Sequence, residues 1–282
     1  MPSLKIIKKR ISSVKSTQKI TRAMKLVSAA KLKRAQERAQ QSRPFEAELQ
    51  DMVSSILFEA NWSSPLIETR AIKRVGIVVY STDRGLCGSL NANVLKAVLR
   101  RAQELRGTEI EIVSLGKKAG DFLKRRGLKI HSVHSDLIRK GTHLKMAEIA
   151  KELRKLFSSG YFDSVEIFYP RFQSAMTQPP TRVELLPFKP TAAKDSGICL
   201  YEPSGPELLD STVPMLIDFQ LYRFLLELIA SEHAARMAAM ESATKNSKDM
   251  IERLTLERNR ARQAVITKEL MEIIGGAEAI SA

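Results

Sequence analysis

Two long segments without glycine or proline constrain the fold of this chain more than any other feature. They cover residues 3–43 and 215–274, and both are rich in the residues that favour helices. At about 1.5 Å per residue, the second helix would be roughly 90 Å long and the first at least about 60 Å. A compact middle of roughly 140 residues would form a ball with a radius of gyration near 14 Å. The sequence therefore predicts two helices that project from a compact middle.

Signals at the ends of these segments predict where the helices begin and end. Pro2 and Ser3 are typical of a helix start, and Gly275 with Gly276 is typical of a helix end.

Apolar stripes predict that the two helices pack as an antiparallel coiled coil. On the first helix the heptad stripe contains Leu4, Ile7, Ile11 and Val14, and after a register shift Ile20, Met24 and Val27. On the second it contains Met237, Met240, Ile251, Leu254, Ala261 and Val265. Polar residues occupy seam positions where a strong zipper would carry Leu or Ile, namely Gln18, Thr21, Ser28, Thr244 and Ser247. This thin seam favours a shaft enclosed by another protein, and an ordinary helical hairpin is the alternative.

The middle of the chain alternates apolar strands with amphipathic helices. Strands are predicted at 75–80, 109–115, 129–133, 164–170 and 181–188, and helices at 93–106, 119–126 and 144–157. This order predicts a mostly parallel sheet in a Rossmann-like α/β domain inserted between the long helices. Residues 189–197, rich in Pro, Gly and small polar residues, predict an exposed linker. The predicted domains are an N-terminal helix (1–58), an α/β domain (59–210) and a C-terminal helix (211–282).

The charge of the chain is strongly positive and unevenly distributed. The net charge is +15, and the first 43 residues carry 13 Lys or Arg against the single acid Glu37. Residues 215–274 carry nine basic and nine acidic residues. The basic segment predicts a polyanionic partner, which could be a nucleic acid, an anionic lipid or an acidic protein. No stretch approaches an uninterrupted membrane span, and two cysteines without CxxC spacing favour a reducing compartment.

The loop GLCGSLN, at residues 85–91, lies between a predicted strand and a predicted helix, as the phosphate loop of a dinucleotide site does. Its pattern is G-x-x-G-x-x-N, whereas a dinucleotide fingerprint is G-x-G-x-x-G and a P-loop ends in GK[ST]. The next strand also lacks the acid at its end that would bind a ribose. We therefore expect a tight turn and no nucleotide cofactor.

No other residues assemble into a recognisable active site. His131 and His134 are three apart in a strand, without an obvious acidic or cysteine cluster nearby, so no metal is expected. Asp83 and Arg84 could form a catalytic pair, but an ion pair or a helix cap at the loop is favoured. The chain is expected to be non-catalytic by itself.

Four motifs in order resemble the gamma subunit of F-type ATP synthase. They are KKRISSVKSTQKITRAMKLVSAAKLKRAQ near the start, DRGLCGSLNAN, ASEHAARMAAMESATKN, and RNRARQAVITKELMEIIGGAEAI at the end. The resemblance covers the whole chain. It implies a central-stalk rotor, in which the coiled coil turns inside a ring of three alpha and three beta subunits. It also implies an α/β foot against the epsilon subunit and the membrane ring of c subunits, with proton flow driving ATP synthesis.

The resemblance also implies contact residues. Positions that match contacts with a beta subunit are Met24, Lys25, Lys31, Arg34, Arg236, Arg262, Gln263 and Thr267. Positions that match contacts with the c ring are Tyr201 and Glu202. Cys199 lacks the partner and the insert of the chloroplast relatives, so thiol regulation of that type is not expected.

Three functions follow from these observations. The first is the rotor, expected at the cytoplasmic face of a bacterial inner membrane because no signal peptide or presequence is visible, and reaching the membrane only through the complex. The second is a basic coiled-coil protein that binds nucleic acid. No aromatic residue precedes Phe45 to stack on bases, which disfavours it. The third, a nucleotide-dependent enzyme built on the glycine loop, is disfavoured by the loop pattern.

Overall fold

The computed structural model of the chain describes residues 4–59, 63–137, 142–189, 202 and 204–281. Two helices dominate it: α1, Leu4–Glu59, has 56 residues, and α5, Gly205–Ser281, has 77. Between them lie β1 (Arg74–Tyr80), α2 (Leu90–Glu104), β2 (Glu109–Leu115), α3 (Lys117–Arg125), β3 (Lys129–His134), α4 (Thr142–Ser158), β4 (Ser164–Pro170) and β5 (Pro180–Leu186). The predicted strands and helices of the middle are all present, with bounds shifted by a few residues.

The chain divides into two compact units, residues 1–28 with 237–282, and residues 29–236. Both long helices contribute to both units, so the unit boundaries fall inside helices. The three linear domains expected from the sequence stay a prediction.

The larger unit, 29–236, is built on a five-stranded sheet of order β3-β2-β1-β4-β5. The first four strands are parallel, and β5 runs antiparallel to β4. This is the mostly parallel sheet that the alternation of strands and helices predicts. The central strands β1 and β4 are buried along nearly their whole length because helices cover both faces.

Each face of the sheet has its own apolar core. One core joins the sheet to α2 and α3 through Val94, Val98 and Leu123. The other joins it to α4, to the end of α1 and to the first part of α5, with Phe157 and Phe224 among its largest buried side chains. The hydroxyl of Tyr80 donates a 2.7 Å hydrogen bond to the carbonyl oxygen of Leu221, which fixes α5 to the sheet through a buried polar contact.

In the smaller unit α1 and α5 run antiparallel. The hydroxyl oxygens of Thr21 and Thr244 are 2.8 Å apart, and Lys25 Nζ lies 2.6 Å from Glu241 Oε1. As the residue number increases along α1, from Thr21 to Lys25, the number of the contacting residue on α5 decreases, from Thr244 to Glu241. This is the order of an antiparallel pair. The predicted orientation is therefore confirmed.

The buried stripe of α1 keeps one heptad register, so the predicted register shift is wrong. Ile7 and Ile11 are followed by Thr21 and Ser28 on the buried side. Ile20 and Val27 are instead 60% and 55% exposed. A shift would force a local change of helix winding. Small polar residues avoid that change because they fit a close contact between helices. The Thr21 and Ser247 hydroxyls bond to carbonyls about one turn back, and Thr21 also meets the Thr244 hydroxyl.

This polar seam predicts a measurable effect of removing its hydroxyls. Thr21→Val together with Thr244→Val should raise the free energy of unfolding by up to about 1 kcal/mol, since both partners of one bond become apolar with little change of shape. Thr21→Val alone should not stabilise the chain, because it leaves the Thr244 hydroxyl with only its 2.7 Å bond to the Met240 carbonyl. Urea unfolding followed by helical circular dichroism compares them, and equal effects of the single and double variants would contradict the seam contact.

The expected end of the second helix at Gly275 and Gly276 is also wrong, because α5 continues to Ser281. Neither glycine has the positive φ that a terminating residue would adopt. A glycine inside a helix costs only about 1 kcal/mol relative to alanine, so the helix passes through both. The predicted start at Pro2 and Ser3, and most of the linker at 189–197, lie outside the described residues. No described helix is long and apolar enough to cross a bilayer.

Candidate protein-binding surfaces

The first surface is a basic groove of about 720 Å³ between the two helices of the smaller unit. Lys25 lies in it and pairs with Glu241, while Met24, one residue earlier, is half-buried beside the seam. The other cations of the groove are Lys19, Arg22, Lys245 and Lys248. Glu241 is the single acid among the groove residues, so the groove is strongly positive. Its positive potential is complementary to an acidic protein surface.

The second surface is the exposed end of α5. From Arg262 to Gly276 every residue is exposed, including Gln263 and Thr267, which lie one turn apart and share a face. Apolar side chains are exposed in the same stretch, among them Ile266 and Leu270. This part of the helix leaves its polar and its apolar side chains exposed to solvent. It offers both kinds of contact to a partner.

In the larger unit, the remaining predicted contacts differ in accessibility. Lys31 and Arg34 are exposed. The guanidinium of Arg236 is instead enclosed, since its Nη2 donates to Glu232 Oε1 at 2.6 Å and to the carbonyl oxygen of Gly85 at 3.2 Å. The sequence motif contains both Arg236 and Glu232 but cannot show the bond to Gly85, which lies 151 residues away. Glu202 is exposed, and Tyr201 lies outside the described residues.

The loop GLCGSLN is held by side chains, as a tight turn requires. Asn91 accepts a hydrogen bond from the Thr82 amide at 3.1 Å and donates to the Thr82 hydroxyl at 2.8 Å and to Cys87 Sγ at 3.4 Å. Gly88 has φ of 58°, in the region that favours glycine. The asparagine that ends the G-x-x-G-x-x-N pattern therefore supports the turn itself.

Asp83 caps a helix, which is one of the two interpretations that the sequence favours. Its Oδ1 accepts a 3.0 Å hydrogen bond from the backbone amide of Lys117, the first residue of α3. Its Oδ2 accepts another of 3.0 Å from the amide of Asp136. The cap belongs to α3, which the topology brings to this loop.

The expectation that His131 and His134 lack acidic neighbours is wrong. His131 Nδ1 is 2.9 Å from Glu111 Oε2, and Glu152 is within 4.0 Å of both imidazoles. Glu111 lies on β2 and Glu152 on α4, so both acids are far from the two histidines in sequence and could not be recognised as their neighbours. Burial raises the pKa of Glu111, but hydrogen bonds from Lys129, Tyr161 and His131 outweigh burial and hold that pKa below its usual value. Among the described residues no group of acids, histidines and cysteines has the arrangement of a metal site.

His233 lies in a pocket of about 250 Å³ in the larger unit, and sequence analysis gave it no role. The lining is Lys31, Asp83, Arg84, Asp136, Glu232, His233 and Arg236. Burial, followed by the charges of Arg236 and Lys31, lowers the pKa of His233 from 6.5 to about 4. Its carboxylate neighbours Asp83, Asp136 and Glu232 do not offset these effects.

This shift predicts a defined acid sensitivity. Below its ordinary pKa of 6.5 the unfolded chain protonates His233, while the folded chain resists protonation until about pH 4. The stability that depends on the neutral imidazole is therefore complete above pH 6.5 and is lost as the pH falls toward 4. His233→Gln should flatten the pH dependence of urea unfolding in that window, and the exposed His143→Gln should leave it as in the wild type. Equal slopes for both variants would contradict the assignment.

Comparison with known proteins identifies the family. A family model described as ATP synthase matches residues 3–280. An ATP synthase gamma chain of Heliobacterium modesticaldum is 44% identical over 99% of this chain and 100% of its own length. One of Geotalea daltonii is 46% identical over 99% of each chain.

The chain belongs to the ATP synthase gamma-chain family. Solved structures agree with this membership. A chain from the central stalk and c-ring structure of Tetrahymena thermophila mitochondrial ATP synthase is 28% identical, with a TM-score of 0.61 over 79% of this chain and 99% of that one. A chain from Euglena gracilis mitochondrial ATP synthase, at 21% identity, shares the fold with a TM-score of 0.72 over 98% of this chain and 94% of that one. The gamma-chain family thus accounts for both the long helices and the sheet between them.

Proposed function

We propose that this chain is the central-stalk rotor of the F1 sector of a proton-transporting ATP synthase. Its partners are three alpha and three beta subunits, the epsilon subunit and the c-subunit ring. Proton flow turns the ring and the stalk, and the stalk sets the nucleotide-binding state of each beta subunit. The chain thereby influences both ATPase activity and proton flow.

The observation that carries this proposal is the construction of the shaft in the smaller unit. Its two antiparallel helices meet through a seam that contains small and polar residues, and apolar side chains outside the seam, such as Ile20 and Val27, are exposed. Exposed apolar area of this kind is favourable only when a partner covers it. An enclosing ring of subunits would cover the shaft on all sides.

The surface of the shaft is also asymmetric, which a rotor requires. The basic groove carries five cations and one acid, and the end of α5 presents mixed polar and apolar residues. Three otherwise equivalent beta subunits would therefore each meet a different face. A bias of this kind shifts each subunit among conformations that bind and release nucleotide.

The contact residues expected from the resemblance are part of the proposal. Met24, Lys25, Lys31 and Arg34 would face beta subunits along α1, and Arg262, Gln263 and Thr267 would do so near the end of α5. Tyr201 and Glu202 would rest on the c ring. Bond-making chemistry would take place in the beta subunits, so the chain would be a non-catalytic part of an enzyme. It would lie at the cytoplasmic face of the inner membrane and reach the membrane only through the complex.

Purification from the native membrane tests this function. A tagged chain, isolated after nuclease treatment and mild detergent extraction, should retain alpha and beta subunits at three copies each per copy of this chain, together with epsilon and c subunits. Recovery of nucleic acid with the untreated protein, and no alpha or beta subunits, would instead support the nucleic-acid-binding alternative. The comparisons give that alternative no support.

A further inference from the structure

A group of exposed cations lies at the edge of the sheet where the parallel strands begin. The helices α2 and α3 run back across the sheet, so their ends and the loops that follow reach this edge. The exposed cations, here called the basic edge, are Lys73 before β1, Arg106 before β2, and Lys124, Arg125 and Arg126 before β3. Because β1, β2 and β3 are neighbours about 4.8 Å apart, the three strand starts lie within about 10 Å. The topology therefore gathers five cations from three separate parts of the chain.

Acids at the strand starts are already occupied by other groups. Glu109 accepts hydrogen bonds from Arg74 Nε at 2.8 Å and from Lys129 Nζ at 3.1 Å. The bond from Arg74, followed by that from Lys129, lowers the pKa of Glu109 and keeps its carboxylate ionised with these partners. Asp163 Oδ2 accepts the backbone amides of Lys73 and Arg74, each at 2.8 Å. Neither acid neutralises a side chain of the basic edge.

The cations of the basic edge make no ion pair with any residue that the structure describes. Glu104, the acid nearest to Arg106 in sequence, instead pairs with Arg100 at 3.7 Å and with Arg101 at 3.2 Å. Arg125 Nε donates to a backbone carbonyl one turn back at 3.1 Å, which leaves the charge of the guanidinium uncompensated. The basic edge therefore has a positive potential that favours a polyanionic partner.

An exposed aliphatic side chain beside the basic edge indicates which polyanion fits. Ile72, directly before Lys73, is 52% exposed. Cations around an exposed apolar residue are complementary to anionic lipid, because the charges meet phosphate groups while the apolar side chain enters the boundary with the acyl chains. Nucleic acid is disfavoured, since Phe122 and Tyr161 at this edge are half-buried under guanidinium groups and offer no open ring for stacking.

We propose that the basic edge, together with Ile72, binds the anionic headgroup surface of a phospholipid membrane. This contact goes beyond the proposed function. It adds a direct lipid interaction to a chain that would otherwise reach the membrane only through the complex. Because the interaction needs no other subunit, it is measurable on the full chain alone.

Flotation of the full chain with phospholipid vesicles tests the contact. The chain should float with vesicles of phosphatidylglycerol and phosphatidylcholine in equal amounts, and it should stay in solution with phosphatidylcholine alone. The triple variant Lys124→Gln, Arg125→Gln and Arg126→Gln should weaken binding by about tenfold or more, since each cation near an anionic surface contributes about fivefold. A wild-type chain that does not float with the anionic vesicles would overturn the proposal.

A second triple variant controls for the high net charge of the chain. Lys8→Gln, Lys9→Gln and Arg10→Gln removes the same charge from three exposed consecutive residues of α1. These side chains point in different directions around the helix, so they cannot meet one flat surface together. The control should weaken binding by less than about twofold. Equal losses in the two triple variants would show that vesicles attract the charge of the whole chain, and the basic edge would not be a site.

Ile72→Asn distinguishes a membrane from a soluble acidic polymer. It should weaken vesicle binding about fivefold, because the apolar side chain no longer enters the lipid, and it should leave binding to polyglutamate unchanged. Ile20→Asn, at an isoleucine that is 60% exposed on α1, is the matched control and should bind vesicles as the wild type does. Wild-type vesicle binding by Ile72→Asn, or an equal loss with polyglutamate, would overturn the lipid assignment. Neither result touches the rotor function, which the purification of the complex tests separately.

Discussion

Gly116→Ala is expected to lower the free energy of unfolding of the larger unit by more than about 4 kcal/mol, or to prevent folding. Gly116 follows β2 with φ of 119°, and a Cβ at this position would lie 2.1 Å from the carbonyl oxygen of Ser81. The obstructing atom is backbone, and it cannot turn away as a side chain would. The Gly116 amide also donates a 2.8 Å hydrogen bond to the carbonyl of His134, which ties the ends of β2 and β3 together.

Gly107→Ala is the matched control, because it separates backbone strain from collision. Gly107 also has a positive φ, 92°, but a Cβ there would meet nothing within 4 Å. Its substitution should cost only the conformational penalty of about 1–2 kcal/mol. Urea unfolding of the two variants measures the difference, and equal losses would show that Ser81 does not obstruct position 116.

Arg101→Met is expected to cost about 3 kcal/mol, the second largest effect. The Glu166 side chain on β4 is only 4% exposed, and Arg101 on α2 meets it with three contacts of 2.6, 3.0 and 3.1 Å. Without Arg101 the carboxylate stays inside the protein with one distant cation, Arg182, at 3.7 Å. The loss then comes mainly from a buried charge left without its partner.

The double variant Arg101→Met with Glu166→Met checks that cause. Replacement of both members of a buried ion pair by apolar residues is often close to neutral, so much of the lost stability should return. Thermal and urea unfolding of the wild type and the two variants make this comparison. A double variant that is less stable than Arg101→Met would show that packing, and not the unpaired carboxylate, explains the loss.

The sheet and its helices were predictable because each strand and helix has a clear local pattern. The run at 164–170 is buried throughout, and α4 repeats its apolar residues at helical spacing. These patterns depend on which faces of a strand or helix are buried, and they are visible within a few residues of sequence. The antiparallel direction of the shaft followed from placing a compact middle between two long helices.

The seam register and the loop could not be predicted in the same way. Hydrophobicity favours Ile20 over Thr21 for the seam, but the continuous heptad and a 2.8 Å hydroxyl contact with Thr244 place Thr21 inside. The sequence also gives no signal for the bond from Arg236 on α5 to the Gly85 carbonyl of the loop. Contacts made across long sequence distances decide both features.

Rotation of the chain inside an immobilised alpha–beta ring is the most direct test of the central claim. Met176→Cys, introduced with Cys199→Ser, gives a highly exposed attachment point for a bead in the larger unit, while the native Cys87 is buried. When ATP is added, the bead should turn in one direction with three pauses per turn, one for each beta subunit. A bead that stays fixed while the same complexes hydrolyse ATP would contradict the rotor account.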